Sequence, residues 1–241
     1  VYAHLKRFSK KIETTVKNEQ YLKENYEIEI FPALNEIKIS NNELIAFSGN
    51  TGGSSGPHLH FEIRDINQKP LNPLNYGIDV QDNRAPSILG LKIYSLYKNM
   101  EIKNSKNLTF YKKDKNSYIT DTIQSIGALG FGVQTIDRQD LASNKNGVYK
   151  INTYIDNDTL ISIDFNKFSF EETKHINRYI DYREFKRNKK RFQKLFIQKN
   201  NPLSIYKKEK NQGVVSLNEN SRYLITIEVI DFNQNITKLF I

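Results

Sequence analysis

The chain has 241 residues, 38% of them hydrophobic and 26% charged, with a formal net charge of +9 and no cysteine. That length and apolar content suit one large domain or two small ones and exclude a compositionally disordered chain. The missing cysteines exclude a disulfide scaffold, a thiolate zinc site, an iron–sulfur cluster and a cysteine nucleophile.

Residues 1 to about 76 read as short strands with turns between them. Tyr26–Phe31, Glu36–Ile39 and Glu43–Phe47 alternate apolar and polar residues, which is the period of a half-buried strand. A glycine- and serine-rich loop, 48–56, follows, and 58–64 reads as a further strand. Pro70 and Pro73 bar the next segment from a central strand, because each removes a ladder donor. The first domain is therefore placed at 1–77, with a linker at 78–86 that holds Asp79, Asp82, Asn83 and Pro86.

From 87 to 241 the chain again reads as all-β. Ser87–Lys98 is an apolar-rich strand. Val148–Ile155 and Thr159–Phe165 form a hairpin across Asp156-Asn157-Asp158, and 223–230 and 236–241 form another. Several short strands with turn signals predict a β-sandwich of the immunoglobulin-like kind. Residues 171–198 lack Gly and Pro and space Phe185, Phe192, Leu195 and Phe196 at near-helical intervals, which predicts a short helical insert. The fold class is thus mainly β: an antiparallel sheet module followed by a sandwich.

The tract 183–210 holds eleven Lys/Arg against two Glu, which accounts for the whole net charge. Its plain reading is a solvated face, and its functional reading is contact with anionic envelope polymers. The balanced remainder, without any accompanying motif, argues against a nucleic-acid partner. No apolar run approaches the roughly 20 residues of a membrane span. The chain opens on Val1 and its one methionine is Met100, so it reads as a processed product or a piece that starts mid-protein.

The residues that carry chemistry lie in Ser48-Gly-Asn-Thr-Gly-Gly-Ser-Ser-Gly-Pro-His-Leu-His-Phe-Glu62. A strand period of two puts the imidazoles of His58 and His60 on one face, roughly 6.6 Å apart along the chain. Leu59, Phe61 and Ile63 then point the other way, into a core. One imidazole can bind a metal while the other reaches a water or a substrate oxygen. Glu62 shares the histidine face and can support a metal-bound imidazole. A bare His-x-His, or a glycine loop alone, is equally a surface pair or a flexible hairpin connection.

The combination resembles the M23 family of zinc metallopeptidases, the lysostaphin-like peptidoglycan endopeptidases. Tyr2-Ala3-His4-Leu5 matches the family's Tyr-x-His-Leu, and Ile45-Ala46-Phe47-Ser48-Gly49 matches its preceding strand. Pro70-Leu71-Asn72-Pro73 is typical of a subset. The resemblance covers about residues 1–77 and makes the first domain the C-terminal part of a truncated catalytic module. It implies that His60 is a Zn2+ ligand, that His58 is the general base, and that His4 stabilises the tetrahedral transition state. Asn50, Thr51, Gly52, Gly53, Ser54, Ser55 and Gly56 would line the substrate groove. The family's other two ligands lie in a His-x-x-x-Asp motif upstream of Tyr-x-His-Leu, and this chain begins three residues before His4. The implied function is hydrolysis of peptide cross-links in peptidoglycan, in the bacterial envelope, periplasmic or extracellular. The alternative is a non-catalytic relative that regulates other hydrolases or binds the wall.

Overall fold

A computed structural model describes residues 1–241. The molecule is mainly β. It divides into two compact units, 1–64 and 65–241. No helix is long and apolar enough to cross a membrane.

The first unit holds strands β1 (Tyr2–Ala3), β2 (Leu5–Phe8), β3 (Ala46–Ser48), β4 (His60–Phe61) and β5 (Ile63–Arg64), with helix α1 (Lys10–Leu22) between β2 and β3. Strand β1 pairs antiparallel with β4, with Ala3 opposite His60. Strand β2 pairs antiparallel with β3, with Leu5 opposite Ser48. Helix α1 has few apolar residues, and none of its side chains is fully buried. Ion pairs one turn apart support it, Glu13 with Lys17 at 3.2 Å and Glu19 with Lys23 at 2.9 Å.

Three expectations fail in this unit. Residues 26–31 and 36–39 form no strand, and the strand expected at 43–47 lies at Ala46–Ser48. Side chains there take the backbone donors that a ladder would need: Glu27 N donates to Asn25 Oδ1, Ala33 N to Glu36 Oε2 and Ser40 N to Glu43 Oε2. Helix α1 occupies part of a stretch whose sequence predicts strands and turns. Leu59 does not enter a core but is 59% exposed, because this unit builds no hydrophobic cluster over that face.

The second unit begins with β6 (Pro70–Leu71) and then carries β7 (Ser87–Leu96), β8 (Ile102–Leu108), β9 (Phe110–Asp114), β10 (Ser117–Thr120) and β11 (Gly127–Ile136). It continues through β12 (Lys150–Ile155), β13 (Asp158–Asp164), α2 (Ile176–Tyr179), α3 (Tyr182–Asn188) and β14 (Gln193–Lys194). Strands β15 (Tyr206–Glu209), β16 (Val215–Leu217), β17 (Ile225–Ile230) and β18 (Ile236–Phe240) complete it. One sheet runs in the order β15-β13-β12-β17-β18-β10-β9, and the other in the order β14-β11-β7-β8, with β16 also on β11. Pairing is antiparallel apart from β10 on β18. Leu91, Ile93, Phe131 and Val133 of the second sheet share one buried cluster with Ile151, Ile163, Ile227 and Leu239 of the first.

The helices of the insert end at Asn188, where Lys189 adopts a left-handed cap with φ of 58°. The chain is then extended, and β14 pairs with β11, Lys194 opposite Gly132. Phe192, Leu195 and Phe196 are buried in that extended stretch, so their spacing reflects a strand-and-turn path and not a helix. Asp181 caps α3 by accepting from Glu184 N at 3.1 Å. The same carboxylate holds Lys92 Nζ at 3.2 Å and the Tyr94 hydroxyl at 3.1 Å, which ties the insert to β7.

Candidate metal and catalytic centre

The centre is built from two short pairings in residues 1–64. Antiparallel β1 and β4 bring His4 and His60 to one place, since His4 directly follows β1 and His60 opens β4. His58 pairs across to Gly49, donating its backbone N–H to Gly49 O at 3.1 Å. Gly49 is obligatory there: a Cβ would lie 2.5 Å from Lys6 N and 2.7 Å from Lys6 Cα. His4 itself has φ of 55°, a left-handed conformation that ordinary residues avoid, and this bend separates β1 from β2.

The three imidazoles converge. His4 lies 4.9 Å from His58 and 5.4 Å from His60 between ring centroids. One ring nitrogen from each lies within 4.8 Å of the other two.

Hydrogen bonds fix which nitrogen of each ring is free. His4 Nδ1 lies 2.6 Å from Thr51 O, and His58 Nδ1 lies 2.8 Å from Gly56 O. A carbonyl only accepts, so both Nδ1 atoms carry protons and both Nε2 atoms face outward from those contacts. Ser54 Oγ reinforces His58, at 3.1 Å from Nδ1, while donating to Gly56 O. His60 has the opposite arrangement. Its Nε2 lies 2.5 Å from Glu62 Oε1, which leaves Nδ1 with a lone pair. Glu62 Oε2 in turn accepts from Arg64 Nε at 2.6 Å. Arg64 foremost, and His60 with it, hold the Glu62 carboxyl below its usual range.

The loop 50–56 is exposed except at Ser54 and Gly56, which are half-buried. Its backbone carbonyls at Thr51 and Gly56 are what the two imidazoles use. Gly52 supplies the turn with φ of 73° and leaves its open side toward the His4 ring. Asp65 is spent elsewhere, paired with Lys167 at 2.5 Å. Sequence reasoning missed Arg64, although the run His58-x-His60-x-Glu62-x-Arg64 has the period that puts all four on one face. It also missed the two carbonyls, for which a sequence carries no signal.

The model of the family described as "Peptidase family M23" matches residues 34–73. Over these residues the chain is similar to peptidase family M23. The DD-carboxypeptidase/endopeptidase Mpg of Neisseria meningitidis serogroup B (strain ATCC BAA-335 / MC58) is 46% identical over 43 residues, 18% of this chain and 10% of that protein. Its counterpart in Neisseria gonorrhoeae (strain ATCC 700825 / FA 1090) is 48% identical over 40 residues, 17% of this chain and 9% of that protein. The match thus spans about a tenth of these M23 relatives' own length. No solved structure matches the chain.

Imidazole nitrogens are good zinc donors, and a carboxylate on the far nitrogen of a ligating histidine is the usual support of such a ligand. His60, with Nδ1 free and Nε2 held by Glu62, fits that role.

Proposed function

We propose that this chain carries part of the catalytic centre of a zinc metalloendopeptidase that cuts peptide cross-links of bacterial peptidoglycan, in the periplasm or outside the cell. The supporting observation is the convergence of His4, His58 and His60 with a different free nitrogen on His60 than on the other two.

In this reading His60 would hold zinc, with its Nδ1 unbonded and Nε2 held by Glu62, together with the His and Asp that the M23 resemblance puts upstream. Zinc supplies Lewis-acid polarisation of the scissile carbonyl and acidifies a water. His58 would accept a proton from the attacking water at Nε2, because Gly56 O and Ser54 Oγ keep its Nδ1–H in place. His4 donates to the developing oxyanion from Nε2. Since Thr51 O already binds its Nδ1–H, that donation requires the doubly protonated ring. The small side chains from Asn50 to Gly56 let a peptide backbone approach closely. Residues 87–241 serve as an immunoglobulin-like sandwich accessory to this centre, a reading supported by two sheets that share one core. The tract 183–210 contacts anionic polymers of the wall.

The test is digestion of purified peptidoglycan by the full-length protein, with muropeptides resolved by mass. Loss of cross-linked dimers that is abolished in His58→Ala and His60→Ala is expected. An unchanged muropeptide profile would contradict the proposal and favour the non-catalytic alternative.

A further inference from the structure

Asp82, Asp137 and Asp231 come together in the second unit, far in sequence from the histidines. Each is more than nine-tenths buried, at 7%, 7% and 1% exposure. One carboxylate oxygen of each lies within 4.8 Å of the other two. No lysine, arginine or histidine forms an ion pair with any of them. Burying like charges without a counter-charge is costly, so such a cluster needs a cation or shared protons. Asp137 Oδ1 adds a second, independent observation: it is buried with no hydrogen-bond partner.

The backbone holds each acid in place separately. Asp137 follows β11 and is clamped by a two-way bridge, its N–H to Asn146 O at 3.0 Å and Asn146 N to its own O at 2.8 Å. Asp231 follows β17, and Asn235 N and Nδ2 donate to its two oxygens at 2.8 Å each. Asn235 Nδ2 also reaches Asp82 O at 2.9 Å, and Arg84 N donates to Asp82 Oδ1 at 3.0 Å. Three acidic groups are thus set together by neutral donors, with no counter-charge among them.

We propose that Asp82, Asp137 and Asp231 form a calcium site in the second unit. The donors are all oxygen, which selects hard cations over zinc. Three carboxylates at one point suit Ca2+, which takes six to eight oxygen ligands, better than Mg2+, which keeps several waters and is usually held by one or two carboxylates. Carboxylate oxygens that all lie within 4.8 Å of one another can reach one ion together. A cavity of about 470 Å³ bordered by Asp82, Asp137, Gln139, Asn146 and Asn233 opens beside the acids and supplies an entry path and room for water ligands. A cation here would join the ends of β11 and β17, which belong to different sheets, to the segment that leads into β7.

The test is calorimetric titration of the chelator-treated full chain with CaCl2, and separately with MgCl2, alongside thermal melts. One Ca2+ per chain and a higher Tm in calcium are expected, with Mg2+ at least about tenfold weaker. D137N is nearly isosteric and changes a carboxylate with an unbonded oxygen, so it should fold and lose the calcium-dependent rise in Tm. D231N should do the same, but it also disturbs the Asn235 contacts, so D137N is the decisive variant. No heat and no change in Tm up to about 10 mM calcium, above the weakest extracellular calcium sites, would overturn the proposal in favour of shared protons. An equal response to magnesium, or an undiminished calcium response in D137N, would also overturn it. None of these readings depends on peptidase activity.

Discussion

Glu62 stands between His60 and Arg64, with one carboxylate oxygen 2.5 Å from the imidazole Nε2 and the other 2.6 Å from the guanidinium Nε. The three residues occupy every second position of the run 60–64, so a guanidinium orients a carboxylate that orients an imidazole. This relay decides which nitrogen of His60 is free for a metal.

Removing the middle of the relay should loosen the metal. Glu62→Ala in the full-length protein is expected to weaken zinc about 10–100-fold, read by competition with a chromogenic chelator. Glu62→Gln keeps an acceptor oxygen without the charge and should fall between wild type and Glu62→Ala. Equal zinc affinity in all three would show that Glu62 is not part of the metal's support.

His58 is assigned to proton transfer and not to metal binding. Its replacement by Ala should lower kcat about 10²–10⁴-fold. Ser54→Ala removes only the reinforcing contact to Nδ1 and should cost much less. Steady-state kinetics on a soluble cross-linked peptide separates these cases. A Ser54→Ala loss as large as that of His58→Ala would make the serine a participant.

Gly49→Ala tests the scaffold behind the site. The added methyl meets backbone atoms of Lys6 that cannot swing away, so the expected cost is about 1–3 kcal/mol of overpacking. The His58 amide, which donates to Gly49 O, should exchange faster with solvent. Wild-type exchange at that amide would contradict the pairing.

Stability should rise between about pH 8 and pH 10. Burial lowers Lys194 from 10.5 to about 8. Within that window the unfolded chain binds the proton and the folded chain does not, so raising pH favours folding. Below pH 8 both states are protonated and this dependence vanishes. Above pH 10 burial of the Tyr94 and Tyr179 hydroxyls, which raises both, reverses the slope. Melts of Lys194→Met should lack the rise between pH 8 and 10. A rise retained in that variant would assign it to another group.

The basic tract is assigned no part in this chemistry. Charge-neutralising Lys186, Lys189 and Lys190, which are exposed, should leave turnover of a small peptide unchanged. Binding to whole cell walls should weaken in a salt-dependent way. Loss of small-peptide turnover would give the tract a part in the centre.

The sequence made the histidines and the later hairpins legible for the same reason: strand period. Lys150–Ile155 with Asp158–Asp164, and Ile225–Ile230 with Ile236–Phe240, form where alternation meets strong turn residues. Alternation misled at Tyr26–Phe31, where the aromatic ends are exposed and Asn25 and Glu36 side chains capture nearby backbone donors. Helix α1 was missed because its apolar residues are few and its support comes from surface ion pairs. The aromatic spacing at 189–198 suits helix and extended chain equally, and only the left-handed Lys189 decides between them. The acidic cluster was invisible because Asp82, Asp137 and Asp231 each look like turn residues until the fold brings them together.

The most direct measurement is zinc content per chain of the full-length protein, by elemental mass spectrometry, for wild type, His58→Ala and His60→Ala. The expected result is one zinc in wild type, one in His58→Ala with activity strongly reduced, and none in His60→Ala. Zinc retained in His60→Ala and lost in His58→Ala would contradict the assignment of the two imidazoles.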